Sequence, residues 1–485
     1  MRTAILWFRQ DLRLADNPAL SQALAEYDRV IPLYIHAPEE SAPWQPGAAS
    51  RWWLHHSLAA LDTSLHQRGS RLILRSEPSL EALQKIIAET KAEAVLWNRL
   101  YEPVHIARDK AIKQALREQG VGAESFNAAL LFEPWQVIKE NGDPYRVFTP
   151  YWKACQQRGL PQVIHRTPEA LPSVPSGVVS EQLASFELLP HLPWDSGFQQ
   201  AWQPGEVGAH ELLDAFLDDS LAHYSEARDI PAEPATSRLS PALHFGEIGP
   251  RQIVSAVEQF TAQHQRSGRI ANAEAWLRQI VWREFAHSVL FHFPHTSDAP
   301  FDERFAGFAW ERDYENALVR WQRGNTGIPI VDAGMRELWH TGWMHNRVRM
   351  IVASLLTKNL LIPWQEGARW FWDTLVDADL ANNSFGWQWV AGSGNDAAPY
   401  FRIFNPVLQG EKFDPGGRYV RHWLPELSAL PDRYLHQPWQ ASTGVLSAAG
   451  IELGVDYPQP IVDLKASRER ALERFGCIRK TRGTA

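Results

Sequence analysis

Short apolar runs recur in the first part of the chain, at Ala4–Phe8, Val30–Ile35, Arg71–Leu74 and Ala94–Trp97. Between them lie helical patterns over Ser50–Arg68 and Leu80–Lys91. Continuous apolar runs suit strands buried on both faces, and strands alternating with helices predict a parallel sheet with right-handed crossovers. The segment contains neither G-x-G-x-x-G nor G-x-x-x-x-G-K-[ST], so both common phosphate-cradling fingerprints are missing. A ligand is expected in a crevice at the carboxyl ends of the strands.

The pattern then changes. Pro161, Pro168, Pro172, Pro175, Pro190 and Pro193 interrupt any periodicity, which predicts a long irregular connector. Beyond it the apolar positions follow helical spacing over Gly208–Leu221, Pro250–Gln265, Ala271–His292, Ile330–His340, Asn346–Lys358 and Gly367–Leu375. The expected organisation is an α/β domain over 1–130, a linker over 131–205 and an all-α domain over 206–485.

Composition narrows the class. A chain of 485 residues, 45% hydrophobic and 21% charged, builds a sizeable core and is not disordered. No apolar run has the length of a transmembrane helix, and the charged N-terminus has no apolar core of a secretory signal. Cys155 and Cys477 are the two cysteines, too few for a four-thiolate zinc or iron–sulfur site. Their scarcity fits a reducing cytoplasm, and no metal is expected. A net charge of −8 argues against a generally basic nucleic-acid binder, although it leaves room for a local basic patch. The 22 Trp against 11 Tyr read either as a Trp-rich core or as indoles used for redox and stacking.

Chemistry concentrates in three places. Residues 377–406 crowd acids, amides, indoles and small residues into a stretch that is neither an amphipathic helix nor an ordinary loop. Ahead of it, Asn346, Arg349 and Met350 share one helix face, with Arg347 on another. Earlier, Thr236, Ser237 and Ser240 place three hydroxyls ahead of Pro241, downstream of Tyr224. Such a cluster reads as a helix start that holds a phosphate, or as a helix cap without ligand.

These stretches carry a resemblance. WFRQDLRL at 7–14, TSRLS at 236–240, WLRQIVWREF at 276–285, GWMHNRVRM at 342–350 and DADLANNSFGWQW at 377–389 follow one another as they do in a known family. RIFNP at 402–406 and GEKFDPGGRYVRHWLPEL at 410–427 complete the series. The chain resembles the flavin-dependent DNA photolyases of the photolyase/cryptochrome family over nearly its whole length. The resemblance implies an α/β antenna domain with a Rossmann-like parallel sheet, then an all-α domain holding FAD. The implied activity is light-driven splitting of cyclobutane pyrimidine dimers in DNA.

Site residues follow from the same resemblance. Tyr224, Thr236, Ser237, Arg238, Leu239 and Ser240 are expected around the FAD pyrophosphate and ribitol, with Trp276, Gln279, Arg283 and Asn346 also lining the cofactor. Arg349 and Asp377 match the pair beside the isoalloxazine, or form an interhelix salt bridge; Asp379 is expected at the ring edge. Asn383 matches the residue facing flavin N5. A neutral amide there suits repair, whereas plant-type cryptochromes generally carry an acid. Trp387, Trp364 and Trp310 match an electron-carrying Trp triad, or are core indoles. Trp282, Trp389 and Met350 match the cradle of the flipped dimer, which Asn346 also contacts. Arg228, Arg283, Arg347 and Arg402 are either phosphate contacts or solvated surface charges.

Gln279 stands where the best-known dimer photolyases carry Glu, and it cannot ionise. GAASRWWLHHSLAALDTSL at 47–65 and WNRLYEP at 97–103 resemble class III photolyases, which implies a methenyltetrahydrofolate antenna. The resemblance implies that an acidic folate contact is replaced there, with His105 near its place; a deazaflavin, a second flavin or no antenna are the alternatives. The expected protein is a monomeric cytoplasmic enzyme, at the nucleoid when bound to damaged DNA. The competing readings are a cryptochrome-type photoreceptor and a (6-4) photolyase. The chain ends soon after the shared core, without the long tail expected of a photoreceptor.

Overall fold

The structure, a computed structural model, describes residues 1–162, 165–263, 267–396 and 401–480. Five parallel strands form one sheet in the order β3-β2-β1-β4-β5. They are β1 Thr3–Phe8, β2 Arg29–Ile35, β3 Ile73–Arg75, β4 Ala94–Asn98 and β5 Gly122–Phe126. Every residue of β1 and of β4 is buried, because helices cover both faces of a parallel sheet. The crossover helices are Pro18–Glu26, Ala48–His66, Ser79–Thr90 and Pro103–Glu118. Asn17 starts the first of them: its side chain accepts from Leu20 N, and Pro18 follows at a position that needs no N–H.

The alternating pattern thus appears as expected, with two differences. The third strand is short and lies two residues beyond the start of its apolar run. The fifth strand has no such run, since Gly122, Glu124 and Ser125 interrupt it. It forms because β4 offers it a complete parallel register, from Ala94↔Gly122 to Asn98↔Phe126. A buried polar cluster lies at the carboxyl ends of β1 and β4. Asn98 Nδ2 donates to Asp11 at 2.6 Å, and Arg9 pairs with Asp109 at 2.8 Å.

The chain forms two compact units that cut across its linear order. One comprises Met1–Ala222, Ser237–Pro294 and Val376–Ala381; the other comprises His223–Thr236, His295–Leu375 and Asn382–Ala485. Within the first, the proline-rich connector is largely irregular, yet it is tied to the sheet. Glu181 N donates to Leu74 O at 3.0 Å, and Val178 joins the sheet's apolar core.

The expected helices form at Glu206–Ala215, Pro250–Gln263, Ser267–His292, Pro329–Thr341, Asn346–Ser354 and Trp364–Thr374. The expected end at Gln265 lies outside the described residues. Two helices finish in π turns, at Phe216–Ser220 and Leu355–Asn359. Leu380–Ala391, inside the stretch read as neither an amphipathic helix nor an ordinary loop, is a 12-residue helix without an amphipathic pattern. Trp387, Val390 and Ala391 are buried, while Gly386 on the same helix is exposed. Small and amide residues mask the amphipathic signal that normally marks a helix. Residues 397–400 of that stretch lie outside the described residues.

Many of the indoles are core. Trp7, Trp52, Trp53, Trp97, Trp321 and Trp364 are among the largest fully buried side chains.

Candidate functional site

In the first unit, Arg238 is held in the left-handed backbone region at φ 52°, and the helix Ser240–His244 starts directly after it. A non-glycine residue in that conformation is strained and marks a constrained turn. The turn puts Ser237 and Ser240 close together in sequence at a helix start, while Leu239 is buried and the Arg238 guanidinium sits 4.1 Å over the Trp202 ring.

The helix Ser267–His292 supplies the next group. Trp276 packs on Phe216 with ring centroids 4.5 Å apart. Gln279 Nε2 reaches the Ala275 carbonyl at 3.3 Å, within its own helix. Trp282 stacks on Phe148 at 3.6 Å and 8°, which fixes its plane. Arg283 donates to the carbonyl of Ala129 at 2.8 Å and reaches that of Leu243 at 3.5 Å. Its guanidinium thus fastens the backbone after β5 to this helix. Next to it, buried Glu284 accepts from Leu131 N at 2.8 Å, and burial pushes its carboxyl up to about 7.

Asp377 and Asp379 are both buried. Asp379 Oδ2 lies 3.4 Å from His287 Nε2 and 3.6 Å from His244 Nδ1. Burial disfavours its charge, but His287 and His244 outweigh burial and hold the carboxyl well below its ordinary range. Close by, His105 bonds Glu102 at 3.0 Å and Ser41 Oγ at 3.0 Å. Burial raises the Glu102 carboxyl, yet His105 more than offsets it and brings it to about 2. A buried acid, Glu102, thus sits directly on His105.

In the second unit, Tyr224 is buried with the Arg228 guanidinium 5.6 Å from its ring centroid. Asp229 sits between two arginines, 2.9 Å from Arg347 and 4.0 Å from Arg228. One carboxylate thus serves two guanidinium groups. Arg402 is exposed, over Phe404 at 4.9 Å. The helix Asn346–Ser354 starts on His345, whose Nδ1 accepts from Arg347 N at 3.2 Å. Burial pushes this imidazole down to about 4, so near neutral pH it keeps the lone pair that caps the helix. Asn346 is exposed, Arg349 and Met350 are half-buried, and Arg349 Nε donates to Met344 O at 2.7 Å.

The helix Leu380–Ala391 is anchored within this unit from Asn383 to its C-terminus. Asn383 Nδ2 donates to the Ala368 carbonyl at 3.0 Å. Gln388 donates to Thr296 O at 2.7 Å and Ala299 O at 3.0 Å, and accepts from Phe301 N at 2.8 Å. Buried Lys358 donates to Ala391 O at 2.5 Å at the carbonyl end of the helix, and burial holds its ammonium well below the ordinary lysine range. Asn383, Gly386 and Trp389 follow at three-residue spacing on neighbouring positions of the helix surface. A Cβ at Gly386 would meet nothing within 4 Å, so that position fronts open space. Trp387 lies on the packed side, against Gly367, with Phe371 at 5.0 Å and Trp321 at 6.2 Å. Trp364 is buried at the start of the helix that carries Gly367. Trp310 is half-buried, 4.5 Å from Phe308.

Residues 4–174 match DNA photolyase, and residues 276–476 match the FAD-binding domain of DNA photolyase. A deoxyribodipyrimidine photo-lyase of Agrobacterium fabrum is 49% identical, covering 98% of each chain.

The chain belongs to the DNA photolyase family. The crystal structure of a class III photolyase from Agrobacterium tumefaciens superposes with a TM-score of 0.95 at 48% identity, covering 99% of this chain and 98% of that one. Cryptochrome-2 of Arabidopsis thaliana is 41% identical, but the match covers 96% of this chain and only 78% of that protein. The family match brings an FAD-binding domain. Within the first unit, hydroxyls at a helix start and buried carboxylates have the chemistry that a dinucleotide cofactor needs, so these residues fit FAD. Among the described residues no helix is long and apolar enough to cross a membrane.

Three side chains in these surroundings escaped the sequence reading: His244, His287 and Trp321. His287 stands four residues after Arg283 and His244 four after Ser240, one helical turn from recognised positions. That spacing was the available signal.

Proposed function

We propose that this chain repairs cyclobutane pyrimidine dimers in DNA, using blue light and bound reduced FAD. Relatives named deoxyribodipyrimidine photo-lyase match it nearly end to end, at 49% identity from Agrobacterium fabrum and 38% from Escherichia coli. The observation that carries the reading is Asn383 with its amide nitrogen committed to Ala368. That leaves Oδ1 as an acceptor for an N–H on a reduced flavin ring, the protonation pattern a repair enzyme must hold.

When bound, FAD supplies the excited electron that opens the dimer and takes it back afterwards. The chain does the rest. Tyr224, Thr236, Ser237, Arg238, Leu239 and Ser240 hold the pyrophosphate and ribitol. Trp276, Gln279, Arg283, Asn346, Arg349, Asp377 and Asp379 hold the remainder of the cofactor. Trp387, Trp364 and Trp310 pass electrons inward to restore the reduced state. Trp282, Trp389 and Met350 cradle the flipped dimer with Asn346 and Gln279 at its edge, where Gln279 donates and accepts without ionising. Arg228, Arg347 and Arg402 hold phosphates. A methenyltetrahydrofolate antenna near Glu102 and His105 completes the reading. The protein would work as a cytoplasmic monomer on nucleoid DNA.

The test is recovery of thymine absorbance from a thymine-dimer oligonucleotide under blue light, with reduced protein and a dark control. Light-dependent recovery is expected. Intact, photoreducible flavin without recovery would overturn the assignment and favour a photoreceptor or an enzyme for (6-4) lesions.

A further inference from the structure

The His287 ring is fixed by partners at both nitrogens. Nδ1 lies 3.0 Å from the Arg283 carbonyl. A carbonyl has no hydrogen to give, so Nδ1 carries one and donates it. Nε2 lies 3.4 Å from Asp379 Oδ2. With only the Nδ1 proton, the Nε2 lone pair would face an ionised carboxylate, two acceptors together in a buried site. The contact is satisfied when one more proton lies between them. His244 needs none. Its Nε2 faces the Gln10 amide nitrogen at 3.5 Å, so Nδ1–H is available to the same Asp379 oxygen at 3.6 Å.

We propose that His287 and Asp379 hold one shared proton, and that this proton sets the charge presented to the edge of the flavin ring. The proposal rests on the assignment of Asp379 to that edge. The other charged groups facing His287 are Arg283 and Glu284 on its own helix, Glu102 with its partner His105, and His244 across Asp379. Arg283 opposes an imidazolium, whereas Asp379, Glu284 and Glu102 favour it. Burial alone would strip the ring of its proton, yet Asp379 outweighs burial and raises the imidazole above its ordinary value.

As pH rises through that raised value, the proton passes to bulk water. Asp379 then stands as an unbalanced carboxylate beside a neutral ring. A reduced, anionic cofactor is repelled by that charge, and an oxidised, neutral one is not. Affinity for the reduced form therefore falls relative to the oxidised form by up to about tenfold per pH unit between the His287 midpoints of the oxidised and reduced states, and levels off above both. An arginine at this position would keep the positive charge at every pH and remove the dependence.

The experiment follows the His287 side chain by NMR in FAD-holding protein, oxidised and reduced, from pH 5.5 to pH 9. The cofactor midpoint potential is measured over the same range in wild type and in His287→Arg. The expected result is a His287 midpoint above that of ordinary histidine, higher in the reduced state, with an extra pH slope of the potential in wild type that His287→Arg lacks. A histidine that titrates at or below the ordinary value, or identically in both redox states, overturns the proposal. Should His287→Arg not fold, the wild-type titration decides alone. Asp379→Asn separates the two ways of failing. A flavin spectrum indifferent to this substitution refutes the placement of Asp379 at the ring edge. A spectrum that moves, with one His287 midpoint for both redox states, refutes only the shared proton.

Discussion

Asn383 Nδ2 bonds the backbone carbonyl of Ala368 at 3.0 Å, and this single contact orients the amide. The nitrogen has to face Ala368 because the carbonyl only accepts, so Oδ1 points elsewhere as an acceptor. An ionised carboxylate in place of the amide would set an oxygen against the Ala368 oxygen. Asn383→Asp is therefore expected to lower dimer repair about tenfold or more at pH 8, with recovery towards low pH as the acid regains a proton. Repair yield per absorbed photon against pH checks this; a loss of equal size at every pH contradicts it.

Gly367 makes room for Trp387. A Cβ there would come within 2.1 Å of the indole, deep inside van der Waals contact. Gly367→Ala is expected to destabilise the protein by about 1–3 kcal/mol and to slow photoreduction of the flavin. Repair by chemically pre-reduced protein should suffer less, because the dimer cradle does not depend on Trp387. Transient absorption after a flash, beside thermal unfolding, reads both effects.

Trp282 and Trp389 are the indoles assigned to the lesion. Truncating either to Ala is expected to weaken binding of a dimer-containing strand by about 1–3 kcal/mol, the usual worth of stacking one base on an aromatic ring. Trp282→Ala should also loosen Phe148, its stacking partner at 3.6 Å. Dark binding to damaged and undamaged strands gives the comparison. An equal loss on both strands would deny these indoles a part in lesion recognition.

Asp229 offsets two arginines, Arg347 at 2.9 Å and Arg228 at 4.0 Å. Asp229→Asn is expected to tighten DNA binding at low salt and to steepen the fall of affinity with salt, since more cationic charge is left to displace counterions. Binding isotherms at several salt concentrations test it, and an unchanged slope would place this corner away from the phosphates.

Glu284 is a buried acid held near pH 7, above the ordinary value for Glu. A raised folded value means that stability is fully present below the unfolded value and is lost as pH rises through about 7. Glu284→Gln keeps an acceptor for Leu131 N and removes that loss. It is expected to gain at most about 3 kcal/mol at pH 8 and nothing at pH 4. Denaturant unfolding at the two pH values decides it.

Much of the molecule was legible in the linear pattern. Continuous apolar runs marked β1, β2 and β4, because strands buried on both faces cannot carry polar residues at ordinary cost. The ordered motifs marked the family and the residues proposed for the flavin and the lesion, since each carries a local chemistry that a short stretch can display. Other features depended on neighbours distant in sequence. β5 lacks an apolar run and exists because β4 supplies its hydrogen bonds. The helix Leu380–Ala391 hid behind small and amide residues, and is held in part by Ala368, Thr296 and Lys358. The shared carboxylate of Asp379, with His244 and His287 on one oxygen, joins three segments far apart in the chain. A sequence determines which chemistry each residue brings and which faces seek burial. Only the tertiary structure decides which charges meet out of water, where a neighbour at 3.4 Å settles what a lone histidine will hold.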